Sequence, residues 1–362
     1  MKRDIVLFSL VVLLLVPGSA LGVERVGTTA FQVLKLNVGA RGAGMGNAMV
    51  AGASEATSVF WNPSGLAWSA ARDIRLLHVN LPADVNYDGM CFAYRLPGEW
   101  GTLGVGLSLL HMDDMIVRTA EDPRPEDRAG DDVPYFTAWD MVAVLSYGRA
   151  LTDRFSFGGS IKYIREFVNM PSPRAGEDPW LDDYAADGVN FDAGLQYQTG
   201  FRSLRMGMVI QNFGPDTRFG GSFLDYRLAG GTATEPEETD FADAQQPLTF
   251  KAGVTADLAT MTGYSLGSNL SGCMSAQFEH PNDHSERVNM GVELWYHEML
   301  AVRGGYNLNY DADRFTLGFG VRVPWAGERT LHFDYAYADQ GDLTDTSAFL
   351  NQPHRFGIGF EF

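Results

Sequence analysis

Two pairs of residues have the types and spacing for acid–base chemistry: His332 with Asp334, and His111 with Asp113. A histidine held by a carboxylate is the usual proton carrier near neutral pH. Serines lie nearby in phase, but no set of nucleophile, base and orienting group can be assembled around either pair. The glycine-rich stretch Gly39–Gly46 does not cradle a nucleotide: its spacing is not GxGxxG and no βαβ unit follows it. Glycines there serve tight turns and close backbone approach. Cys91 and Cys273 form no CxxC or Cys/His cluster, so neither a metal nor any other cofactor is expected.

The elements that carry these residues are strands. From Arg72 onward the chain alternates with a period of two. Phe315, Leu317, Phe319, Val321 and Val323 oppose Thr316, Gly318, Gly320 and Arg322; Leu331, Phe333, Tyr335 and Tyr337 oppose His332, Asp334 and Ala336. Strands are expected at 72–80, 87–96, 101–112, 135–150, 155–168, 187–200, 203–213, 247–259, 268–280, 286–297, 299–310, 314–323, 328–338 and 354–362. About fourteen strands is an even number, as in single-chain bacterial barrels. Tight turns alternate with the long connectors Asp113–Pro134, Asn169–Ala186, Gly214–Gln246 and Asp339–Pro353, all of one parity. Such barrels have short periplasmic turns and long outer loops. Both termini are therefore expected on the periplasmic side.

The last strand makes the membrane reading concrete. Phe356, Ile358, Phe360 and Phe362 share one face, and Arg355, Gly357, Gly359 and Glu361 the other. An apolar edge of this kind is an aggregation hazard in water, and it is tolerable where the face meets lipid and the strand closes a barrel. A closing strand with a terminal Phe also resembles the signal read by the barrel assembly machinery, so that machinery and outer-membrane lipid are expected partners.

Composition agrees. Gly is abundant at 41 residues, aromatics make up 12%, and lipid-facing residues alternate with polar ones. The formal charge of −18 argues against a nucleic-acid partner. Acidic residues concentrate in Met112–Pro134, Gly176–Asp187 and Thr234–Asp243, which read as solvated loops. Lys2-Arg3, the apolar run Ile5–Val16 and the small residues Ser19–Gly22 read as a signal peptide, residues 1–22. The apolar run is shorter than the roughly 18 residues of a spanning helix.

Residues 23–70 differ from the rest: they are rich in Gly and Ala, hold no sustained period of two, and are expected to pack as a plug inside a barrel of residues 71–362. Arg41 is a natural partner for a wall carboxylate. The inward phase also carries Lys162, Asp192, Arg205, Lys251, Asp257, Glu279, Glu293, Arg303, Arg322 and Asp334. These read as internal ion pairs joining wall and plug, since a buried charge needs a partner. The alternative is a polar path. The two cysteines fall on distant strands and would have to bridge a wide lumen, so no disulfide is expected.

The stretch containing Arg41-Gly42-Ala43-Gly44-Met45-Gly46 and Trp61-Asn62-Pro63-Ser64-Gly65-Leu66 resembles the N-terminal region of the PorV/PorQ family. Gln211-Asn212-Phe213-Gly214, Arg303-Gly304-Gly305-Tyr306, Asp334–Tyr337 and His354-Arg355-Phe356 are similar to its downstream pieces, so the resemblance covers nearly all of the mature chain. The Asn62-Pro63 motif is also similar to the Asn-Pro-Ala of FadL-type fatty-acid transporters, with Ser64 in place of Ala. PorV resemblance implies an accessory of type IX secretion that binds exported proteins carrying C-terminal sorting domains and hands them to a surface attachment complex. FadL resemblance implies a channel for fatty acids or other hydrophobic solutes that passes them into the barrel wall, with Asn62-Pro63 in gating. A simpler reading of Asn62-Pro63 is a turn that ends the plug.

The secretion accessory is the first expectation, the FadL-like channel the alternative, and an outer-membrane lipid hydrolase a third. The motif residues of the plug are Arg41, Gly42, Gly44, Met45, Gly46, Trp61, Asn62, Pro63 and Gly65. Phe219, Phe223, Leu224 and Tyr226 form an apolar cluster in the longest loop, the candidate contact for a solute or partner.

Overall fold

A computed structural model describes residues 27–117, 135–172, 180–225, 228–229, 232–233, 237–310, 313–339 and 353–362. The expected signal peptide and Tyr226 lie outside these residues, as does most of the connector before Pro134. Fourteen antiparallel strands close into one barrel. They are β1 Arg72–Asn80, β2 Asn86–Arg95, β3 Thr102–His111, β4 Tyr135–Ala150, β5 Phe155–Ser172, β6 Trp180–Gln198 and β7 Arg205–Phe213. The rest are β8 Thr249–Asp257, β9 Leu270–Pro281, β10 Arg287–Tyr296, β11 Leu300–Leu308, β12 Phe315–Trp325, β13 Arg329–Ala338 and β14 His354–Glu361. Each pairs with its sequence neighbour, and β14 pairs with β1, Asp73 opposite Glu361. No strand edge is left along the closed wall, which is how a sheet tolerates lipid.

Burial alternates as the sequence does. Along β3 every second residue is exposed, from Leu103 through Val105 and Leu107 to Leu109, while Gly104, Gly106 and Ser108 are buried. On β14, Phe356 and Ile358 face outward at 37% and 51% exposure, and Gly357 and Gly359 face in. The outward face is thus an apolar belt, which in a barrel is the surface that meets lipid.

Two expected connectors fold further than their composition suggests. β5 and β6 contain 18 and 19 residues and β4 beside them 16, against nine in β1 and β7, so three long strands extend beyond the rest of the wall. At about 3.3 Å per residue the excess of β5 over β1 is roughly 30 Å of strand, and β4 follows it up to Thr137, opposite Asn169. The expected loop 169–186 is therefore mostly paired sheet, Asn169 opposite Asp183. Within the connector after β7, Ser222–Asp225 pairs with Glu237–Asp240, so part of the acidic stretch 234–243 is also strand.

Residues 27–69 pack against the inward side of the wall through short helical turns, including α1 Ala40–Gly44 and α2 Ser58–Trp61. A Cβ on Gly207 would run into Val50 and Ala51, on Gly253 into Val50, on Gly291 into Met45, on Gly158 into Pro63 and Ser64, and on Gly194 into Asn62. These glycines lie on β5, β6, β7, β8 and β10, so the segment touches the wall from several sides, which is possible only from within. Only residues without side chains let two backbones come this close.

The first described residues are not at the periplasmic end. Ala30 N–H donates to Gln245 O at 2.9 Å, and Thr29 and Lys35 bind Asp283 in the β9–β10 turn. These partners belong to the end that carries the long connectors. The segment therefore runs the full height of the barrel before β1 begins, which corrects the expectation of a periplasmic start.

Candidate functional site: a filled lumen and a groove in the wall

Asn62 is fully buried against the inward side of β6 and β7. Its Nδ2 donates to Val50 O at 2.8 Å and to Leu195 O on β6 at 3.3 Å. Its Oδ1 accepts from Ser64 N at 3.2 Å and Ser64 Oγ at 2.7 Å. Pro63 opens the 3-10 turn Pro63–Trp68, where the missing N–H costs nothing, and Asn62 is its N-cap. Gly65 lies against Ala53 O and Ser58 Oγ, at distances a Cβ could not keep. Gln211 on β7 donates to Phe60 O and Trp61 O at 3.0 and 3.1 Å. The motif is thus a hydrogen-bonded crossing in which segment and wall share donors.

Arg41 and Glu55, besides Lys35, supply the segment's charges. Arg41 binds Glu293 on β10 through Nε and Nη2 at 3.0 and 2.9 Å, and Glu55 at 3.3 Å. Glu55 lies 3.6 Å from Arg75 on β1, and Arg75 reaches Asp73 at 2.6 Å and Glu361 on β14 at 2.7 Å. Arg303 joins Glu293 and Asp334, both at 2.7 Å. Elsewhere Lys162 pairs with Asp192 at 2.7 Å and Lys251 with Glu279 at 3.6 Å. Arg41–Glu293 and Glu55–Arg75 join segment to wall, while Lys162–Asp192, Lys251–Glu279 and Arg303–Asp334 join strand to strand within the wall, so that each of these buried charges has a partner.

Burial opposes ionisation of Glu55, but the Arg75 and Arg41 guanidiniums outweigh it and hold the carboxyl at about 2. Glu293 beside it raises the Arg41 guanidinium well above its ordinary value. Burial likewise works against Asp283, yet the Lys35 and Thr29 hydrogen bonds keep its carboxyl below the usual carboxylate range.

The expected acid–base pairs do not form. Asp334 is taken by Arg303, and His332 Nε2 lies 3.2 Å from Glu361 instead. His111 Nε2 meets Asp88 on β2 at 3.0 Å rather than Asp113. Two residues along one strand share a face without having to touch, whereas partners across the ladder do. Cys91 and Cys273 are free.

The loop cluster folds on itself. Phe241 packs against Tyr184 at 5.1 Å, Phe219 at 5.6 Å and Phe223 at 5.0 Å between ring centroids. Phe219 and Phe223 thus brace the projecting β6 strand through Phe241, a residue the sequence did not single out. Leu224 lies in the short strand beside Phe223; its side chain is outside the described set, as is all of Tyr226.

The lumen has little free space among the described cavities. One of about 10 Å³ lies between Arg41, Glu55, Trp61, Arg75, Leu77 and Gly357. That is room for about one water. Another of about 30 Å³ lies under Val33 and Val38, against Tyr87, Val142 and Lys162. The largest, about 490 Å³, is a groove on the outward side, across β14, β1, β2 and β3. Leu76, Met90, Leu107, Leu109, Phe356 and Ile358 line it.

Groove and lumen nearly meet. One ladder row runs Asp334, Gly357, Leu77, Gly89, Ser108 across five strands, from β13 to β3. Leu77 is the one large side chain in it. Leu77 and Gly357 line both the groove and the small cavity beside Arg41. Sequence alternation places Leu77 inward, but its glycine neighbours come from cross-strand register, which a single chain does not display.

The fold is similar to the toluene transporter TbuX of Ralstonia pickettii, at 14% identity and a TM-score of 0.52 over 89% of this chain and 97% of that one. It is similar to the toluene transporter TodX of P. putida, at 12% identity and TM-score 0.54 over 89% and 96%. The CymD monoaromatic hydrocarbon channel matches at 14% identity and TM-score 0.54 over 91% and 98%. No family model matches the sequence, and no curated protein does.

Proposed function

We propose that the protein is a FadL-like channel of the bacterial outer membrane that moves a hydrophobic solute between the outside and the barrel wall. The observation that carries this reading is the shared boundary at Leu77. A groove opening toward lipid and a cavity inside the barrel lie on opposite faces of the paired β14–β1–β2 ladder, and Leu77 is the one bulky inward side chain in the row Asp334, Gly357, Leu77, Gly89, Ser108. An apolar molecule gains nothing from crossing a polar lumen, and a side exit through the wall releases it into an apolar phase. Residues 27–69 obstruct the straight path, so passage requires the segment to shift, and Asn62-Pro63 sits where it is most tightly held. The fold shared with toluene transporters supports a small apolar solute.

The type IX accessory role rests on the sequence resemblance. It needs a displayed surface for exported proteins; Phe219 and Phe223 pack on Phe241, though Phe223 stays 37% exposed.

The test is uptake of radiolabelled toluene by cells expressing matched amounts of the protein. Leu77→Trp should cut the protein-dependent rate roughly tenfold, and Leu77→Ala should leave it equal or faster. Uptake unchanged in Leu77→Trp would remove the lateral path. No protein-dependent uptake, with exported proteins co-purifying, would move the weight to secretion.

A further inference from the structure

The groove has a polar rim that transport of an apolar solute leaves unused. His78 on β1, Asp88 on β2 and His111 on β3 all lie in the outward phase. His78 Nδ1 is 2.7 Å from Asp88 Oδ1, and His111 Nε2 is 3.0 Å from Asp88 Oδ2. A carboxylate on the lipid side of a barrel is costly at the midplane and cheap near the interface. This one is two residues from the start of β2, so within roughly 7 Å of the strand end. The trio stands at head-group level rather than among acyl chains.

Below it the surface turns apolar. Two residues down each strand from His78, Asp88 and Phe356 lie Leu76, Met90 and Ile358, cross-strand partners of one another with Leu107 beyond. A polar trio above an apolar trough matches a molecule with a polar head and a hydrocarbon tail.

We propose that the groove holds one phosphate-bearing lipid of the surrounding bilayer, its acyl chain against Leu76, Met90, Leu107 and Ile358 and its phosphate on the imidazoles of His78 and His111. The occupant is a lipid because the groove opens on the side that meets lipid. It bears a phosphate because two imidazoles face one carboxylate. With both rings protonated the trio carries one net positive charge; with both neutral, one net negative. Each ring keeps a second nitrogen beyond the one turned to Asp88, and an imidazolium donates from both. Phosphate then accepts two charge-assisted hydrogen bonds. A bare hydrocarbon satisfies neither ring.

The neighbouring elements leave the trio to set the charge. β4 places Trp139 opposite His111, and on β14 Phe356 stacks on His78 at 6.4 Å. His354, the next outward residue of β14, lies 2.7 Å from Tyr335 Oη on β13. Asp84 in the β1–β2 turn and Asp113 and Asp114 after β3 are the nearby acids in sequence, and they oppose phosphate when the rings are neutral.

The test is native mass spectrometry of the whole detergent-solubilised protein with added phosphatidic acid, or with diacylglycerol of the same chains. The expected result is one phosphatidic acid retained per barrel, with diacylglycerol held roughly tenfold more weakly. His78→Gln with His111→Gln should abolish the head-group preference. Met90→Trp, which fills the trough without touching the trio, should lower retention of phosphatidic acid. Equal retention of the two lipids or an unchanged double variant would overturn the proposal. Toluene uptake is scored separately, so a failed channel and a failed lipid site give different results.

Discussion

Arg41 and Glu293 meet through two parallel hydrogen bonds, and Glu293 is shared with Arg303 of the next strand. The N-terminal segment is thereby anchored to the wall by a fork-on-fork pair out of reach of bulk water. Removing Arg41 leaves Glu293 with Arg303 and Glu55 with Arg75, so the cost stays below the roughly 3–5 kcal/mol of an orphaned buried charge. Arg41→Ala should loosen the segment, seen as new protease cleavage within residues 40–60 and raised ion conductance in planar bilayers. Conductance at the wild-type level with no new cleavage would show that Arg41 does not hold the segment.

Glu55 gives the barrel a defined acid limit. Its carboxyl titrates at about 2 in the folded chain against an ordinary 4.5. A lowered folded value stabilises above the unfolded one, and that contribution is lost as pH falls from about 4.5 toward about 2. The shift corresponds to roughly 3 kcal/mol at neutral pH. Thermal unfolding of wild type should therefore fall toward that of Glu55→Gln across this window, with the gap constant above about pH 5. A gap that does not narrow on acidification would contradict the ion-pair assignment.

Asn62 and Gly194 are a matched pair, because a Cβ on Gly194 would occupy the place of Asn62 Oδ1. Asn62→Ala strips buried donors and acceptors of their partner, at about 1–3 kcal/mol each. Gly194→Ala pushes the same amide aside from the wall. Both variants should raise conductance and protease access alike, and a silent Gly194→Ala would mean that the wall yields there.

Phe362 and Phe360 stack at 5.2 Å, and Arg72 lies 5.6 Å over the Phe362 ring. Phe362→Ser should lower the amount of folded, heat-modifiable barrel in the outer membrane by severalfold. Normal amounts would remove the case for a terminal assembly signal.

The wall was legible from alternation: all fourteen strands stand where the period of two puts them, and the ends of β4 agree with the expected 135–150. The far end of the β5–β6 hairpin was not. Trp180–Ala186 carries two aspartates in a row and no apolar alternation, and its strand character comes from pairing with β5, which a single stretch does not display. Asp88 escaped notice for a different reason. It joins His78 and His111 only through register across three strands, whereas the histidines were read against acids close by in sequence. The course of residues 27–69 had no periodic signal at all, since its fit depends on where the wall has glycines.

That course bears on assembly. The segment touches the outer rim at Thr29 and Lys35, descends past Met45, Val50 and Asn62, and turns into β1 at Arg72. Backbone lies against backbone at several points along the way. Closure of the first strand on the last and the seating of the segment are therefore coupled. Arg75 touches Glu55 of the segment and Glu361 of the last strand together, so it ties the occupant to the seal of the ring.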